Sequence, residues 1–286
     1  MKLAKLHGLG NDFLVVQAVE GGAGQSFGAL ARTLCRRQTG IGADGIVFFQ
    51  PTFGDSAADA AALIFNADGS QAEMSGNGTR CLAAYLTYSG AIHSRIIRIR
   101  TVSGVKVFTL KDQKGKVYTF ESAMGCPVTD PAKVPARLGS GSETLVDFPL
   151  AVGSEMVRVT VCSMGNPHCS SFWHDVSLAP VHTLGPELER HGSFPNRTNV
   201  EFIQVLDRHR IRVRFWERGV GPTQASGTGS SAAAVAAILN NLVESPVAVE
   251  VERGSLIVQW QPPGELFLTG PAEYICSIEY PIETGS

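Results

Sequence analysis

The sequence repeats one pattern of polar residues, once in each half of the chain. Four positions recur in the same order: Asn11 and Asp44 are matched 155 residues later, and Asn66 and Ser75 are matched 151 residues later. The matching positions are Asn166, Asn199, Glu217 and Ser226. The offset between the copies falls from 155 to 151 residues, so the second copy is four residues shorter than the first between the second and third matched positions. Four matches in register predict two copies of one fold unit, related by a pseudo-twofold axis with a ligand site at that axis.

Both serines begin a Ser-Gly-x-Gly turn that leads into an alanine-rich apolar stretch. The turns are Ser75-Gly76-Asn77-Gly78 and Ser226-Gly227-Thr228-Gly229. A helix that starts there directs its unpaired N–H groups and positive dipole end toward an anion, and glycine lets the backbone approach it closely. We therefore predict a carboxylate held by two helices. The simpler interpretation, that each serine is only a helix N-cap, is the more common one for a single site.

The composition favours a small-molecule site over a nucleic-acid or membrane surface. Charged residues make up 17% of the 286 residues, the formal charge is -2, and no cluster of Lys and Arg stands out. The turns lack the third glycine of a dinucleotide fingerprint, and the chain has no P-loop. No apolar run reaches the roughly 18 residues of a membrane helix. The start of the chain, MKLAKLHGLGNDF, does not resemble a signal peptide, so we predict a cytoplasmic protein.

The cysteines predict neither a metal site nor a disulfide framework. No two of the six form a Cys-x-x-Cys pair, and none has a partner at zinc spacing. In a reducing compartment we expect all six to be buried apolar side chains, at positions 35, 81, 126, 162, 169 and 276. We expect no metal and no organic cofactor; lysines are few near the turns, so a Schiff-base cofactor has no evident anchor.

Short runs rich in β-branched and aromatic residues predict mainly strands. They are Phe13 to Val16, Gly45 to Phe49, Ala62 to Phe65, Ile96 to Thr101, Val105 to Leu110, Lys116 to Phe120, Met156 to Val161, Val200 to Val205, Ile211 to Phe215, Val247 to Val251 and Ser255 to Gln259. Helices are predicted at Gly28 to Arg37, Asn77 to Ser89 and Gly229 to Leu242. The stretches Asp130 to Ser142 and Asp147 to Ser154 are predicted to join the halves.

Several polar residues near the turns have the chemistry that an amino-acid ligand requires. Amides donate and accept, a carboxylate binds an ammonium group, and a guanidinium binds a carboxylate. His168 is more often a packed histidine at such a position, although it also suits the tuning of a neighbouring proton carrier. A lone asparagine is more often a turn residue, so the prediction of an amino-acid ligand rests on the whole set of polar residues. Its members are Asn11, Asn66, Asn77, Asn166, Asn199, Glu217 and Arg218.

Characteristic segments are distributed nearly from end to end of the chain: LHGLGNDF, GIGADGI, FNADGSQAEMSGNGTRC, SMGNPHC, Asn199-Val200 and ERGVGPTQASGTGSSAAAVAA. Taken together, they resemble the diaminopimelate epimerase family. It implies a cofactor-independent amino-acid epimerase in which the polar set binds the diamino diacid, through Asn11, Asn66, Asn166, Asn199, Glu217 and Arg218. It also implies that Gly76, Asn77, Gly227 and Thr228 hold the carboxylate at the reacting carbon. His168 and Glu217 are then expected to influence the protonation of the catalytic pair.

The chain departs from that family at the catalytic pair. Members of the family are expected to carry two cysteines where this chain has Ser75 and Ser226. One thiolate removes the α-proton and the other thiol returns a proton to the opposite face. A hydroxyl is far less acidic than a thiol, whose pKa is about 8.5. Three explanations stay open: a natural branch that uses hydroxyls, a binding protein without proton transfer, or a deliberate replacement that traps the ligand.

The resemblance gives the following expectations for fold and function. The fold class is α+β or α/β, with two pseudo-symmetric domains, each a mainly antiparallel curved sheet around a central helix. The domains are expected at 1–135, with the C-terminal segment as a candidate to complete it, and at 136–286. The expected activity interconverts LL- and meso-diaminopimelate in the synthesis of lysine and peptidoglycan precursors. The alternatives are a racemase or isomerase of another amino acid, or a non-catalytic amino-acid-binding homologue; a homodimer stays open.

Overall fold

The computed structural model describes residues 1–18, 26–52, 54–55, 57–130, 132–137 and 145–281. Most of the regular structure is β-strand, with few helices. The chain forms two compact units, Met1–Ser122 with Gly270–Ser286 and Ala123–Thr269. This division differs from the expected boundary between 135 and 136. Both boundaries fall inside described strands, at Val117–Gly125 and Leu266–Glu279.

In the described residues of the first unit there are eight strands and two helices, together with the last part of the C-terminal strand. The strands are β1 (Lys2–Gly8), β2 (Asn11–Gln17), β3 (Gly45–Pro51), β4 (Ala60–Asn66), β5 (Gln71–Ala72), β6 (Ile96–Thr101), β7 (Gly104–Lys114) and β8 (Val117–Gly125). The helices are α1 (Phe27–Leu34) and α2 (Gly76–Tyr88). Strands β2 and β3 are parallel, as are β4 and β6, and the other neighbouring strands of this unit pair antiparallel.

From its second strand onward, the second unit repeats the order of strands and α-helices, and the strand pairings, of the first unit. Its strands are β9 (Phe148–Val152), β10 (Glu155–Ser163), β11 (Pro167–Phe172), β12 (Asn199–Asp207), β13 (Arg210–Glu217), β14 (Gly221–Thr223), β15 (Val247–Val251), β16 (Gly254–Gln259) and β17 (Leu266–Glu279). The helices are α3 (Val181–Glu189) and α4 (Gly227–Leu239). Strands β11 and β12 are parallel, as are β13 and β15, which matches the positions of the parallel pairs in the first unit. The other pairs are antiparallel.

Each unit packs one nearly all-buried helix against its strands. In the first unit, successive residues of β2 alternate between two clusters, so Phe13 and Val15 lie with α2 whereas Leu14 and Val16 lie with α1. In the second unit, α4 contacts β10 through β13, and Ala232 to Ala237 are fully buried along it. Small side chains permit this close approach of a helix to a sheet. The alanine-rich stretches after the two serine turns are therefore the buried helices that the sequence predicts.

All eleven predicted strands are confirmed, and their bounds differ by a few residues. The three predicted helices are confirmed as well, and α1 ends at Leu34 rather than Arg37, because the backbone turns after Cys35 and the N–H groups of Ile41 and Gly42 bond to the Leu34 carbonyl. One other prediction was wrong. The stretch from Asp147 to Ser154 does not join the halves, since most of it is strand β9, which forms a hairpin with β10. In the other predicted joining stretch, residues 131 and 138–142 lie outside the described part of the chain.

The cysteine prediction holds for four of the six residues. Cys35, Cys81, Cys162 and Cys169 are buried, and burial raises the pKa of Cys81 to about 12 and of Cys35 to about 11. The expectation was wrong for Cys126 and Cys276, which are exposed. Cys276 lies near the end of β17, where three successive residues, 275 to 277, are exposed. Among the described residues, no helix has the length and apolar character of a membrane-spanning segment.

Candidate active site

The two serine turns have closely matched local geometry. Ser75 has φ -136° and ψ 115°, and Ser226 has φ -137° and ψ 126°. Each hydroxyl oxygen accepts the backbone N–H three residues later, from Gly78 at 3.1 Å and from Gly229 at 3.2 Å. Both serines are thus N-caps of buried helices, as the simpler interpretation holds. The N-cap role leaves each hydroxyl hydrogen available for a second partner.

The first and second glycines of the turns lie in different surroundings. A side chain at Gly78 would meet the Phe13 ring at 3.0 Å, and one at Gly229 would meet the Phe215 ring at 2.9 Å. The second glycine of each turn is therefore required by packing against an aromatic ring of its own unit. A side chain at Gly76 would meet no atom of the described chain within 4 Å. The first turn thus has open space next to its leading N–H groups.

In the first unit, the structure brings two predicted site residues, Asn11 and Asn77, into one hydrogen-bonded group with Asp44, a residue of the repeat. Asn77 donates to Asn11 at 3.1 Å, and Asn11 donates to Asp44 at 2.9 Å. Asn66 is not part of this group; it is exposed at the end of β4 and donates to Ser70. Asn77 also accepts from Arg80 at 2.5 Å, and Arg80 is almost fully buried. The group fixes the amides of Asn11 and Asn77 next to the Ser75 turn.

Charged residues that the sequence interpretation missed support this group. Asp12 forms ion pairs with Lys5 at 3.0 Å and with Arg37 at 2.9 Å, and Arg37 also pairs with Asp44 at 2.7 Å. Burial raises the pKa of Asp12, but the hydrogen bonds from Arg37 and Lys5 outweigh it, and the pKa is lowered. These side chains come from β1, β2 and the segment between α1 and β3. The spacing in sequence gives no signal for the contacts, because strand pairing brings them together.

In the second unit, a carboxylate lies beside the serine. Glu217, partly buried at the end of β13, accepts a hydrogen bond from Thr223 at 2.5 Å, and the Ser226 hydroxyl is near enough to influence its pKa. Burial raises the pKa of Glu217, whereas the Thr223 and Ser226 hydroxyls and the nearby His168 oppose that rise. Sequence spacing alone did not show a base adjacent to either serine. The structure supplies one for Ser226.

The turn after Glu217 is fixed by asparagine and by a buried glutamate. Asn199 accepts from the backbone N–H of Arg218 at 3.1 Å and donates to the Pro167 carbonyl at 3.0 Å. Glu189, on α3, accepts from the backbone N–H of Gly219 at 2.9 Å. The Arg218 guanidinium is exposed and donates to the Asn196 carbonyl. Asn199 therefore contacts the backbone of Arg218, and no sequence pattern indicated the role of Glu189.

Asn166, the counterpart of Asn11 in the second unit, is hydrogen-bonded to His168. Asn166 and His168 make a side-chain hydrogen bond at 2.9 Å, and the other ring nitrogen of His168 lies 2.6 Å from Glu201. His168 is fully buried, as the packed-histidine interpretation expects. Its proximity also lowers the pKa of Glu217. Gly227 and Thr228 are partly buried at the first turn of α4. The structure thus gathers Ser226, Glu217 and His168 in one unit.

Ser230 is a buried hydroxyl without a hydrogen-bond partner among the described residues. We expect Ser230→Ala to raise the free energy of unfolding by about 1 kcal/mol, because an unpaired buried polar group is costly. Chemical denaturation with urea measures the change. Ser231→Ala is the matched control on the next residue: its hydroxyl donates to the Gly227 carbonyl at 2.9 Å, so no gain is expected. Equal effects of the two substitutions would contradict the argument.

Comparisons with known proteins match the same family over nearly the whole chain. The family model described as diaminopimelate epimerase matches residues 3–129 and 160–275. A diaminopimelate epimerase of Pelotomaculum thermopropionicum is 41% identical over 285 residues, covering 99% of this chain and 100% of the relative. The enzyme of the same name from Moorella thermoacetica is 42% identical over 284 residues, with coverage of 99% and 100%.

Solved structures show the same fold in more distant proteins. A probable proline racemase from Agrobacterium radiobacter superposes with a TM-score of 0.67 at 16% identity, over 99% of this chain and 93% of that chain. At this identity, the likeness concerns the fold alone. It shows that the arrangement of strands and helices described above occurs beyond the relatives that share the sequence motifs.

Proposed function

The chain belongs to the diaminopimelate epimerase family, and we propose that it interconverts LL- and meso-diaminopimelate by moving the α-proton from one face of the carbon to the other. This is an isomerase step of lysine biosynthesis, and we place it in the cytoplasm. The observation that carries the proposal is the matched backbone geometry of the two serine turns. The chain that contains them shares about two fifths of its sequence with its relatives. One acid–base group is needed on each face of a planar carbanion.

We propose that the two turns bind one substrate, in keeping with the expected fold of two pseudo-symmetric domains, each with a curved sheet around a central helix. Gly76 with Asn77 and Gly227 with Thr228 hold the carboxylate at the reacting carbon through backbone N–H groups. The non-reacting end binds the polar set, Asn11, Asn66, Asn166, Asn199, Glu217 and Arg218. The support for this assignment is the family membership together with the hydrogen-bonded groups found within each unit.

Ser226 and Glu217 form the base on one face. As the Ser226 oxygen takes the α-proton, the Glu217 carboxylate takes the hydroxyl proton, so the hydroxyl never has to ionise by itself. The Cα–H bond breaks, an O–H bond forms on the serine and a second O–H bond forms on the glutamate. On the other face, the Ser75 hydroxyl donates its proton to the carbanion. The Ser75 alkoxide that remains accepts the Gly78 N–H at the positive end of α2, and it regains a proton from water as Glu217 releases its own to water, which restores both groups for the next turnover.

Incubation with LL-diaminopimelate in deuterated water tests the proposed function directly. We expect deuterium to enter the α-position and meso product to form together, measured by proton NMR and by chiral chromatography. Exchange requires proton abstraction, whereas a protein that only binds the ligand leaves the α-proton in place. Calorimetry on the same sample measures binding, and binding without exchange would establish the non-catalytic alternative. Exchange of a different amino acid in preference to diaminopimelate would establish the racemase alternative.

A further inference from the structure

A buried chain of polar side chains in the second unit extends beyond the residues of the proposed reaction. Glu201, on β12, is 1% exposed, and its two carboxylate oxygens have different partners. One lies 2.6 Å from His168 Nδ1, and the other accepts the Ser170 hydroxyl at 3.1 Å. The other ring nitrogen of His168 lies 2.9 Å from Asn166 Oδ1. The chain therefore runs from Ser170 through Glu201 and His168 to Asn166.

This arrangement limits where the protons of the His168 ring can lie. Nδ1 faces a carboxylate oxygen of Glu201, which only accepts, so Nδ1 carries a proton. Nε2 faces the Asn166 carboxamide: it donates to the oxygen if the ring is an imidazolium, and it accepts from the NH₂ group if the ring is neutral. The buried Glu201 carboxylate next to the ring favours the imidazolium. Glu201 is its counterion, and His168 is its ion-pair partner among the described residues. A buried carboxylate keeps its charge only when it is paired and hydrogen-bonded, as it is here.

We propose that Glu201 is a positioning residue that acts through His168 to fix which side of the Asn166 carboxamide faces the ligand. The imidazolium takes the carboxamide oxygen, so the NH₂ group of Asn166 is left to donate. A donor at this position suits a carboxylate of the ligand rather than an ammonium group. The identity of that ligand rests on the proposed function, whereas the orientation of Asn166 does not.

In the first unit, a carboxamide is also held in one orientation, but by different side chains. The residue that matches Asn166 is Asn11, which donates to Asp44 and accepts from Asn77, so its carboxamide is also fixed in one orientation. Counting back 155 residues from His168 and Glu201 leads to Phe13 and Ile46, which are apolar. The histidine and the glutamate thus occur together in one copy of the repeat, and neither occurs in the other. This joint occurrence is expected if Glu201 serves His168.

The groups around the pair decide how its charge affects the reaction. Glu217 on β13, Cys162 on β10 and Cys169 on β11 interact electrostatically with Glu201, His168 or both. The positive charge of His168 lowers the pKa of Glu217, and the negative charge of Glu201 raises it to a smaller extent. Loss of Glu201 together with the ring proton that it stabilises is therefore expected to raise the pKa of Glu217.

Nitrogen-15 NMR of the histidine side chains tests the proposal, and a spectrum of His168→Gln assigns the signals. In the full-length protein at pH 7, we expect both ring nitrogens of His168 to show the shifts of a doubly protonated ring. In Glu201→Gln, we expect the shifts of a neutral ring at the same pH. Ser170→Ala removes the other partner of Glu201 but keeps its charge, so the doubly protonated ring is expected to persist. A neutral ring in the unsubstituted protein would overturn the proposal without any variant.

Ligand binding gives a second measurement that does not depend on turnover. We expect Glu201→Gln to weaken the binding of diaminopimelate about tenfold by calorimetry at pH 7, and Ser170→Ala to leave it nearly unchanged. In exchange assays, the acid limb of the pH profile is expected to move to higher pH in Glu201→Gln alone. Equal effects of the two substitutions would assign Glu201 a purely structural role and overturn the proposal. If the protein exchanges no α-proton at all, the proposed function fails, and the NMR result still decides this one.

Discussion

Glu217→Gln is expected to lower the rate of α-proton exchange by about 10²- to 10⁴-fold at saturating substrate, the usual contribution of a positioned general base. Glutamine keeps the size of the side chain and still accepts the Thr223 hydrogen bond, but it takes up no proton. The Ser226 hydroxyl then has to lose its proton without an adjacent base. The measurement is deuterium incorporation into diaminopimelate, with kcat separated from KM because Glu217 also has a proposed binding role.

Two controls make the Glu217 result specific. Glu265→Gln changes the same charge on an exposed loop of the same unit and is expected to leave the rate unchanged. The pH profile of the unsubstituted protein is the second control. Because burial raises the pKa of Glu217, the acid limb is expected above the usual glutamate value of about 4.3, with activity lost as the pH falls through that limb. A Glu217→Gln protein with an unchanged rate would remove Glu217 from the proton path.

The parts of the site that the sequence predicts are those set by local backbone geometry. The serine turns are an example, since each N-cap hydrogen bond joins residues three positions apart. The repeat of polar residues likewise predicts two units with the same order of strands and helices, as the pairings show. Such features depend on neighbours in the chain, so a pattern of residue types is sufficient to find them.

The parts that the sequence did not predict depend on strand pairing or on burial of both faces of a strand. Five successive residues of β12, from Asn199 to Ile203, are buried, so Glu201 lacks the alternation that separates an inward polar side chain from a solvent-facing one. Helix α3 was missed because Gly185 and Pro186 interrupt its pattern, and β17 because Gly270 and Pro271 interrupt it. A single glutamate in an apolar run is the one signal that could have indicated Glu201.

Ser75→Cys combined with Ser226→Cys is expected to raise the exchange rate at pH 8 by about 10²-fold, within the usual range for acid–base catalysis. A thiol with a pKa near 8.5 is partly ionised at this pH, and a helix N-terminus lowers its pKa further. Both serines occupy such positions, with a backbone N–H directed at each side-chain oxygen. In the second unit, the carboxylate of Glu217 is also in place to accept the thiol proton.

The single substitutions are the matched controls for the double one. If each face needs its own proton carrier, either cysteine alone leaves one hydroxyl in the path, so most of the gain is expected only in the double variant. Sulfur is a weaker hydrogen-bond acceptor than oxygen, so each replaced N-cap is expected to cost up to about 1 kcal/mol of unfolding free energy, which urea denaturation measures. A folded double variant that is no faster than the unsubstituted protein would show that the groups around the two turns, such as Glu217, are arranged for hydroxyls or for binding alone.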